Sequence, residues 1–255
     1  MASTIKRVSF GSPELDKALG GGVPQGNLVL LTGGAGTGKT TFGMQFAVTG
    51  CKKKEKSFFV STEQTAADLA KQAVQYGWDL TGFEKRGLLK IFYVDILTDE
   101  RFFDKMSDAV KKFKPDRIII DSLSTFSDYT AVAEFSKLLF LRGDTSESMS
   151  EKTIPAKISE KTLIKRMIAS ILKDLRLSNA TILLTTEMPE KGETLSSDGA
   201  SEFLSDGILV LNYLGVGFTQ FMSLQIRKMR YTKHSREYLA YDFGTDGVKI
   251  IKEPV

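Results

Sequence analysis

Short apolar runs alternate with longer stretches of helical spacing through the first two thirds of the chain. Leu28-Val29-Leu30-Leu31, Ser57-Phe58-Phe59-Val60-Ser61, Leu88 to Val94, Arg117-Ile118-Ile119-Ile120-Asp121 and Thr181-Ile182-Leu183-Leu184-Thr185 are too short for helices and read as buried strands. Between them, Thr41 to Ala47, about Ala66 to Tyr76, Arg101 to Phe113 and about Glu160 to Leu177 read as helices, the second from the spacing of Leu69, Ala73 and Tyr76. Pro115 breaks the chain before the Arg117 strand. This alternation predicts an α/β fold with a mainly parallel central sheet and helices on both faces. The last third changes character. Gly207 to Leu214 and Thr219 to Lys228 flank Gly215-Val216-Gly217-Phe218, and Tyr238 to Asp242 and Val248 to Lys252 flank Phe243-Gly244-Thr245-Asp246-Gly247. Both are hairpin signals, so a C-terminal β-hairpin extension is expected after the α/β core.

The bulk numbers narrow this only slightly. With 255 residues the chain suits one large domain spanning 1–255 and is short for two. No run of 18 apolar residues occurs, so neither a transmembrane helix nor a membrane partner is expected. Met1 to Arg7 lacks the apolar stretch of a secretory signal, and the lone Cys51 cannot form an internal disulfide; a cytoplasmic location fits both. A net charge of +4 is compatible with a nucleic-acid partner without demanding one. From Gly143 to Ser159 the composition turns to Ser, Thr, Glu and Lys. A connection of that length is usually functional or disordered, and it is read as a flexible loop insertion.

The chemistry begins at Gly33-Gly34-Ala35-Gly36-Thr37-Gly38-Lys39-Thr40, which fits the phosphate-loop pattern G-x-x-x-x-G-K-[ST] at every fixed position. It follows a predicted strand and opens a predicted helix, as the pattern requires. Glycines let the backbone bend around a polyphosphate, and the N–H groups of Gly34 to Thr41 at the helix start then face the anion. Lys39 would reach the β- and γ-phosphates of ATP, and the Thr40 hydroxyl would sit on Mg²⁺.

Two carboxylates extend the site. Asp121, at the end of the isoleucine strand, suits the group that holds Mg²⁺ through water, although a strand-end Asp capping a turn is the plainer reading. Glu63 follows the second strand, at the carboxyl edge where a parallel sheet binds ligands. There it can accept a proton from the attacking water. Its alternative is a place in a helix N-cap region, since Thr62 and Thr65 precede a helix.

Phe10-Gly11-Ser12-Pro13-Glu14-Leu15-Asp16, running on through Gly20-Gly21-Gly22-Val23-Pro24-Gln25-Gly26, resembles the lead-in of RecA-superfamily ATPases and especially of KaiC-like domains. The likeness continues through Thr62-Glu63-Gln64, Tyr76-Gly77-Trp78-Asp79, Asp121-Ser122, Thr185-Thr186-Glu187, Glu202-Phe203-Leu204-Ser205-Asp206 and Lys228-Met229-Arg230-Tyr231-Thr232-Lys233-His234. It spans nearly the whole chain and is strongest to single-domain archaeal KaiC-like proteins related to RadA paralogues. The resemblance implies a RecA-like P-loop fold and a homo-oligomer, a hexameric ring, with ATP between adjacent subunits. It also implies that Lys228 and Arg230 approach the neighbour's γ-phosphate. Without the family, they are edge-strand charges that oppose aggregation. Thr186 and Glu187 fall where the superfamily senses the γ-phosphate, and His234 belongs to the same matched stretch.

Departures from the family pattern bear on function. KaiC-like domains often carry two adjacent glutamates where this chain has Glu63-Gln64, so turnover is expected to be slow. Glu202-Phe203 stands where a clock kinase half places its Ser-Thr pair, which argues against autophosphorylation. The 143–159 and 190–201 segments occupy the positions of DNA-contacting loops in RecA-like recombinases. At the first, Lys152, Lys157 and Lys161 could neutralise phosphates but are offset by Asp144, Glu147 and Glu151, with no aromatic residue in the segment to stack a base. Three expectations follow: a DNA-repair accessory ATPase with single-stranded DNA or a recombinase as partner, a signalling ATPase that switches a protein partner, or an ATP-bound oligomer with little turnover.

Overall fold

The apolar runs form the centre of a large sheet in the computed structural model, which describes residues 5–94, 101–125, 160–189, 194–216 and 219–251. The chain begins with β1 (Arg7–Val8), α1 (Pro13–Ala18) and β2 (Val23–Pro24). It continues through β3 (Leu28–Gly33), α2 (Lys39–Lys52), β4 (Ser57–Ser61), α3 (Ala66–Val74), α4 (Leu80–Lys85), β5 (Leu89–Tyr93) and α5 (Phe102–Phe113). Next come β6 (Arg117–Asp121), α6 (Glu160–Arg176), β7 (Thr181–Glu187) and α7 (Ser201–Leu204). The last strands are β8 (Gly207–Val216), β9 (Thr219–Met229), β10 (Tyr238–Gly244) and β11 (Gly247–Ile251). Among the described residues, nine strands share one sheet in the order β11-β10-β9-β8-β3-β7-β6-β4-β5. The six from β8 to β5 are mutually parallel, and β9, β10 and β11 are antiparallel additions.

A period of two along the central strands explains the helices on both faces. Val29 and Leu31 of β3, Phe59 of β4, Ile119 of β6 and Leu183 of β7 face one apolar cluster, with α2 and α3. Their neighbours Leu28, Leu30, Phe58, Val60, Ile118, Ile120, Ile182 and Leu184 face a second, with α5 and α6. Successive side chains of a strand point to opposite faces, so runs apolar at every position need cover on both sides. Helix α2 is apolar nearly all round. Phe42, Met44, Phe46, Ala47, Val48 and Cys51 are all buried, and this burial holds the helix that carries the phosphate loop against the sheet.

The strands and long helices lie where the periodicity places them, with three differences. The helix expected to reach Tyr76 stops at Val74, where Gly77 takes a positive φ of 65°, and a further helix, α4, starts under the Asp79 cap. The β-rich tail is no appendage, because β8 lies parallel against β3 and the antiparallel strands continue the central sheet from there. The lead-in also forms elements of its own: β1 pairs with β2, and Ser12 caps α1. The 143–159 insertion, the Gly217-Phe218 turn and Lys252 lie outside the described residues.

One strand residue ties the lead-in to the core. The fully buried Arg117 brings Nε and Nη2 within 2.6 Å of Glu55 Oε2 and donates from Nη1 to the carbonyls of Ser9 and Phe46, both at 2.8 Å. Its guanidinium also stacks 4.5 Å from the centre of the Phe46 ring.

Candidate active site

The loop from Gly33 to Gly38 joins the carboxyl end of β3 to the amino end of α2. Gly38, at φ 83°, is the N-cap of α2 and supplies no side-chain cap. The first N–H groups of the helix, through Thr41, are therefore not taken up by a capping side chain, which is the arrangement an anion needs. Within the loop, the Thr37 hydroxyl donates to the Gly34 carbonyl at 2.8 Å. The Lys39 ammonium donates to the carbonyls of Gly33 and Gly34, each at 2.9 Å. Burial lowers the Lys39 pKa from its ordinary value, against the opposing pull of Glu187, Asp121 and Glu63.

Those three carboxylates reach the same place from three parallel strands. Asp121 ends β6, and its Oδ2 accepts from the Thr40 hydroxyl at 2.7 Å while Oδ1 accepts from Thr185 of β7 at 2.5 Å. Burial pushes the Asp121 carboxyl above its usual range, and Glu63 adds to this; the hydroxyls of Thr185 and Thr40 and the charge of Lys39 oppose it. Asp121 thus does more than cap a turn. Glu63 follows β4, and its Oε1 accepts from Ser122 at 2.9 Å and from Thr125 at 3.3 Å. The α3 cap is Thr65, whose hydroxyl accepts the Asp68 N–H at 3.2 Å, so Glu63 stands outside the helix start. Glu187, at the end of β7, lines the same cleft.

The cleft measures about 430 Å³. Ala35, Gly36, Gly38, Lys39, Thr40 and Thr41 of the loop and helix start line it, together with Glu63, Asp121, Ser122 and Glu187. That volume lies in the range of small-molecule sites. Thr40 and Asp121 present hard oxygen atoms to one point, which suits a Mg²⁺ ion bound mainly by phosphate oxygens and water.

Lys228 and Arg230 are not in this cleft. The Arg230 N–H donates to Asp206 O, and the Asp206 N–H donates to Leu28 O, so both basic residues sit at the amino end of β3. At about 3.3 Å per residue, the length of β3 puts the phosphate loop roughly 17 Å away. Lys228 Nζ donates to Ser205 O at 2.6 Å, and Arg230 Nη1 lies 2.9 Å from Asp206 Oδ1. Within one chain, therefore, these two cannot complete the cleft around Lys39. His234 Nδ1 donates to Ser235 O at 2.7 Å and does not line the cleft. Thr186 is buried, 3.2 Å from Ser124 Oγ and 3.3 Å from Ser197 Oγ.

Several residues around the loop escaped the sequence reading. Tyr213 of β8 and Tyr241 of β10 donate to the loop carbonyls of Gly36 and Thr37, and the Phe243 ring lies against Gly38. The alternation of Tyr241 and Phe243 along β10 was a signal for one shared face. That this face meets the phosphate loop depends on strand order.

A phosphate loop at the end of β3, a carboxylate at the end of β6 with β7 between them, and the surrounding layered sheet are the features of a RecA-like ATPase. A family profile described as "ATPase: KaiC" matches residues 8–141 and 150–255, and the chain belongs to that family. It is 30% identical to the crystal structure of the KaiC-like protein PH0186 from Pyrococcus horikoshii, with a TM-score of 0.77 over 97% of this chain and 100% of that one. It is 28% identical to UPF0273 protein MK0039 of Methanopyrus kandleri, over 98% of this chain and 94% of that protein. The circadian clock oscillator protein KaiC of Parathermosynechococcus lividus is also 28% identical, over 90% of this chain and 39% of its own length. The chain thus spans about two fifths of that clock protein. Among the described residues, no helix is long and apolar enough to cross a membrane.

Proposed function

We propose that the chain binds Mg-ATP around Lys39 and hydrolyses it, and that a second copy completes each site. The observation that carries this is the convergence of Lys39, Thr40, Asp121 and Glu63 on one cleft. The loop N–H groups and Lys39 hold the phosphates. Thr40 and Asp121 would hold Mg²⁺, which would supply neutralisation of the phosphate charge. Glu63, oriented by Ser122 and Thr125, positions the attacking water and takes its proton. The shared sheet from Leu28 to Ile251 supports reading 1–255 as one ATPase domain.

The position of Lys228 and Arg230 supports a site shared between subunits. They lie at the edge opposite the phosphate loop, beside the exposed aromatic side chains of Phe203 and Tyr231, on a surface suited to meet a neighbour's cleft. A homo-oligomeric ring, hexameric as the family resemblance implies, brings the two edges together. Phosphate release that requires Mg²⁺ and rises with oligomer concentration tests the proposal; a protein that binds no ATP overturns it.

The alternative to the DNA-repair role is a signalling ATPase that switches a protein partner, and that reading rests on membership of the KaiC family alone. The DNA reading draws its support from the positions of the 143–159 and 190–201 segments, of which the first and part of the second lie outside the described residues. Turnover measured with and without single-stranded DNA separates the two: stimulation that falls steeply with salt favours DNA.

A further inference from the structure

The phosphate loop lies against a row of side chains that crosses three strands. Tyr213 of β8 is paired in register with Met222 of β9, and Met222 is paired with Tyr241 of β10. Directly opposed residues share a face of the sheet, so the two tyrosines stand on the same side with one strand between them. β8 is also the parallel neighbour of β3, with Leu211 paired to Gly33. Tyr213, two residues further on, is thereby carried beyond the end of β3 to the level of the loop.

The two hydroxyls bind consecutive peptide units. Tyr213 Oη donates to Gly36 O at 2.9 Å, and Tyr241 Oη donates to Thr37 O at 2.7 Å. A trans peptide unit is planar, with its C=O and N–H pointing in opposite directions. The unit whose carbonyl is Gly36 O carries the Thr37 N–H, and the unit whose carbonyl is Thr37 O carries the Gly38 N–H. Anchoring both carbonyls toward the sheet turns both N–H groups away from it, toward the cleft that Gly36 and Gly38 line. The turn depends on positive φ at Gly36 (76°) and Gly38 (83°), a conformation that residues with a Cβ rarely adopt. Tyr241 is buried, packed edge-on against Phe42 of α2 at 5.2 Å between ring centres, so its hydroxyl is fixed by the core. Tyr213 is half exposed and holds its carbonyl from the rim.

We propose that Tyr213 and Tyr241 are positioning residues for the phosphate site, two hydroxyl clamps that preset the Thr37 and Gly38 N–H groups for a polyphosphate before it binds. The proposal deepens, and rests on, the reading of the cleft as an ATP site. It makes the antiparallel part of the sheet a working part of that site, since β10 reaches the loop only through β8 and β9.

Tyr213→Phe and Tyr241→Phe each delete one hydroxyl and keep the ring. Binding of Mg-ATP and of Mg-tripolyphosphate, which has no base or sugar, is measured by calorimetry for both variants and for Tyr238→Phe, an exposed control on β10. We expect each clamp variant to bind both ligands about fivefold more weakly, the equivalent of one lost hydrogen bond near 1 kcal/mol. We expect the double variant to lose more, and the control to match the wild type. Under turnover, KM should rise while kcat stays within about twofold, because the clamps act on ground and transition states alike. Unchanged affinity in both clamp variants overturns the proposal, as does weakened ATP binding with tripolyphosphate binding intact. Should Tyr241→Phe fail to fold, the exposed Tyr213→Phe decides alone. A wild-type protein that binds neither ligand overturns the ATP reading itself, an outcome distinct from the failure of the clamps.

Discussion

Arg230 lies 2.9 Å from one oxygen of Asp206, while the other oxygen of that carboxylate is 2.9 Å from Arg176 and accepts the Leu28 N–H at 3.0 Å. The Arg230 guanidinium is therefore held at the amino end of the central strands, at the opposite end of β3 from its own phosphate loop. Under the proposed shared site, Arg230 acts on the nucleotide of another subunit.

Mixing experiments test that directly. Arg230→Ala should keep ATP binding and lose turnover, by a factor within the 10³–10⁵ range of arginine residues supplied in trans. Glu63→Gln should be inactive for a different reason. Mixed oligomers of the two variants should regain activity, because some interfaces then pair an intact Glu63 with an intact Arg230. Absence of recovery, with mixing confirmed by mass, counts against the shared site.

Lys39→Ala and Glu63→Gln should separate binding from chemistry. Loss of Lys39 removes the cation nearest the phosphates and should weaken ATP affinity by at least tenfold. Loss of the Glu63 carboxylate should leave affinity within about threefold, since the proposed role of Glu63 is on the attacking water and not on the phosphates. Calorimetry beside phosphate release measures both; equal affinity losses in the two variants would refute this division of roles.

Arg117→Ala should be among the most destabilising changes in the core. It strips the partner from Glu55 and leaves the carbonyls of Ser9 and Phe46 without their donor. Each buried acceptor left without its donor costs about 1–3 kcal/mol. Denaturant unfolding should show this as a lower midpoint, with Arg117→Lys recovering only part of the loss.

Asp206 predicts a particular acid sensitivity. Burial alone would raise its pKa, yet the Leu28 N–H, Arg176 and Arg230 together hold it below the ordinary value of 3.8. A carboxylate with a depressed folded pKa stabilises the fold above its unfolded pKa, and that contribution is lost as pH falls through the folded value. Asp206→Asn should therefore be less stable than the wild type at neutral pH. The gap should close as pH drops below about 4, as followed by thermal unfolding across pH.

The sequence alone determined the long periodic elements and the phosphate-loop spacing, which depend on local order. The isoleucines and leucines of β3, β6 and β7 can only be the inside of a two-faced sheet. The spacing from Gly33 to Thr40, between an apolar run and a helical one, marks a phosphate loop, and the places of Asp121 at the end of β6 and Glu63 just past β4 follow from the same strand pattern. Strand order was not legible, since backbone pairing between distant segments leaves no periodic mark. Only the tertiary structure decided that β8 docks beside β3, that Tyr213 and Tyr241, either side of Met222, meet the phosphate loop, and that Arg230 and Lys39 lie at opposite ends of β3. A strand pattern says which face a side chain takes, and only the packed sheet says what that face touches.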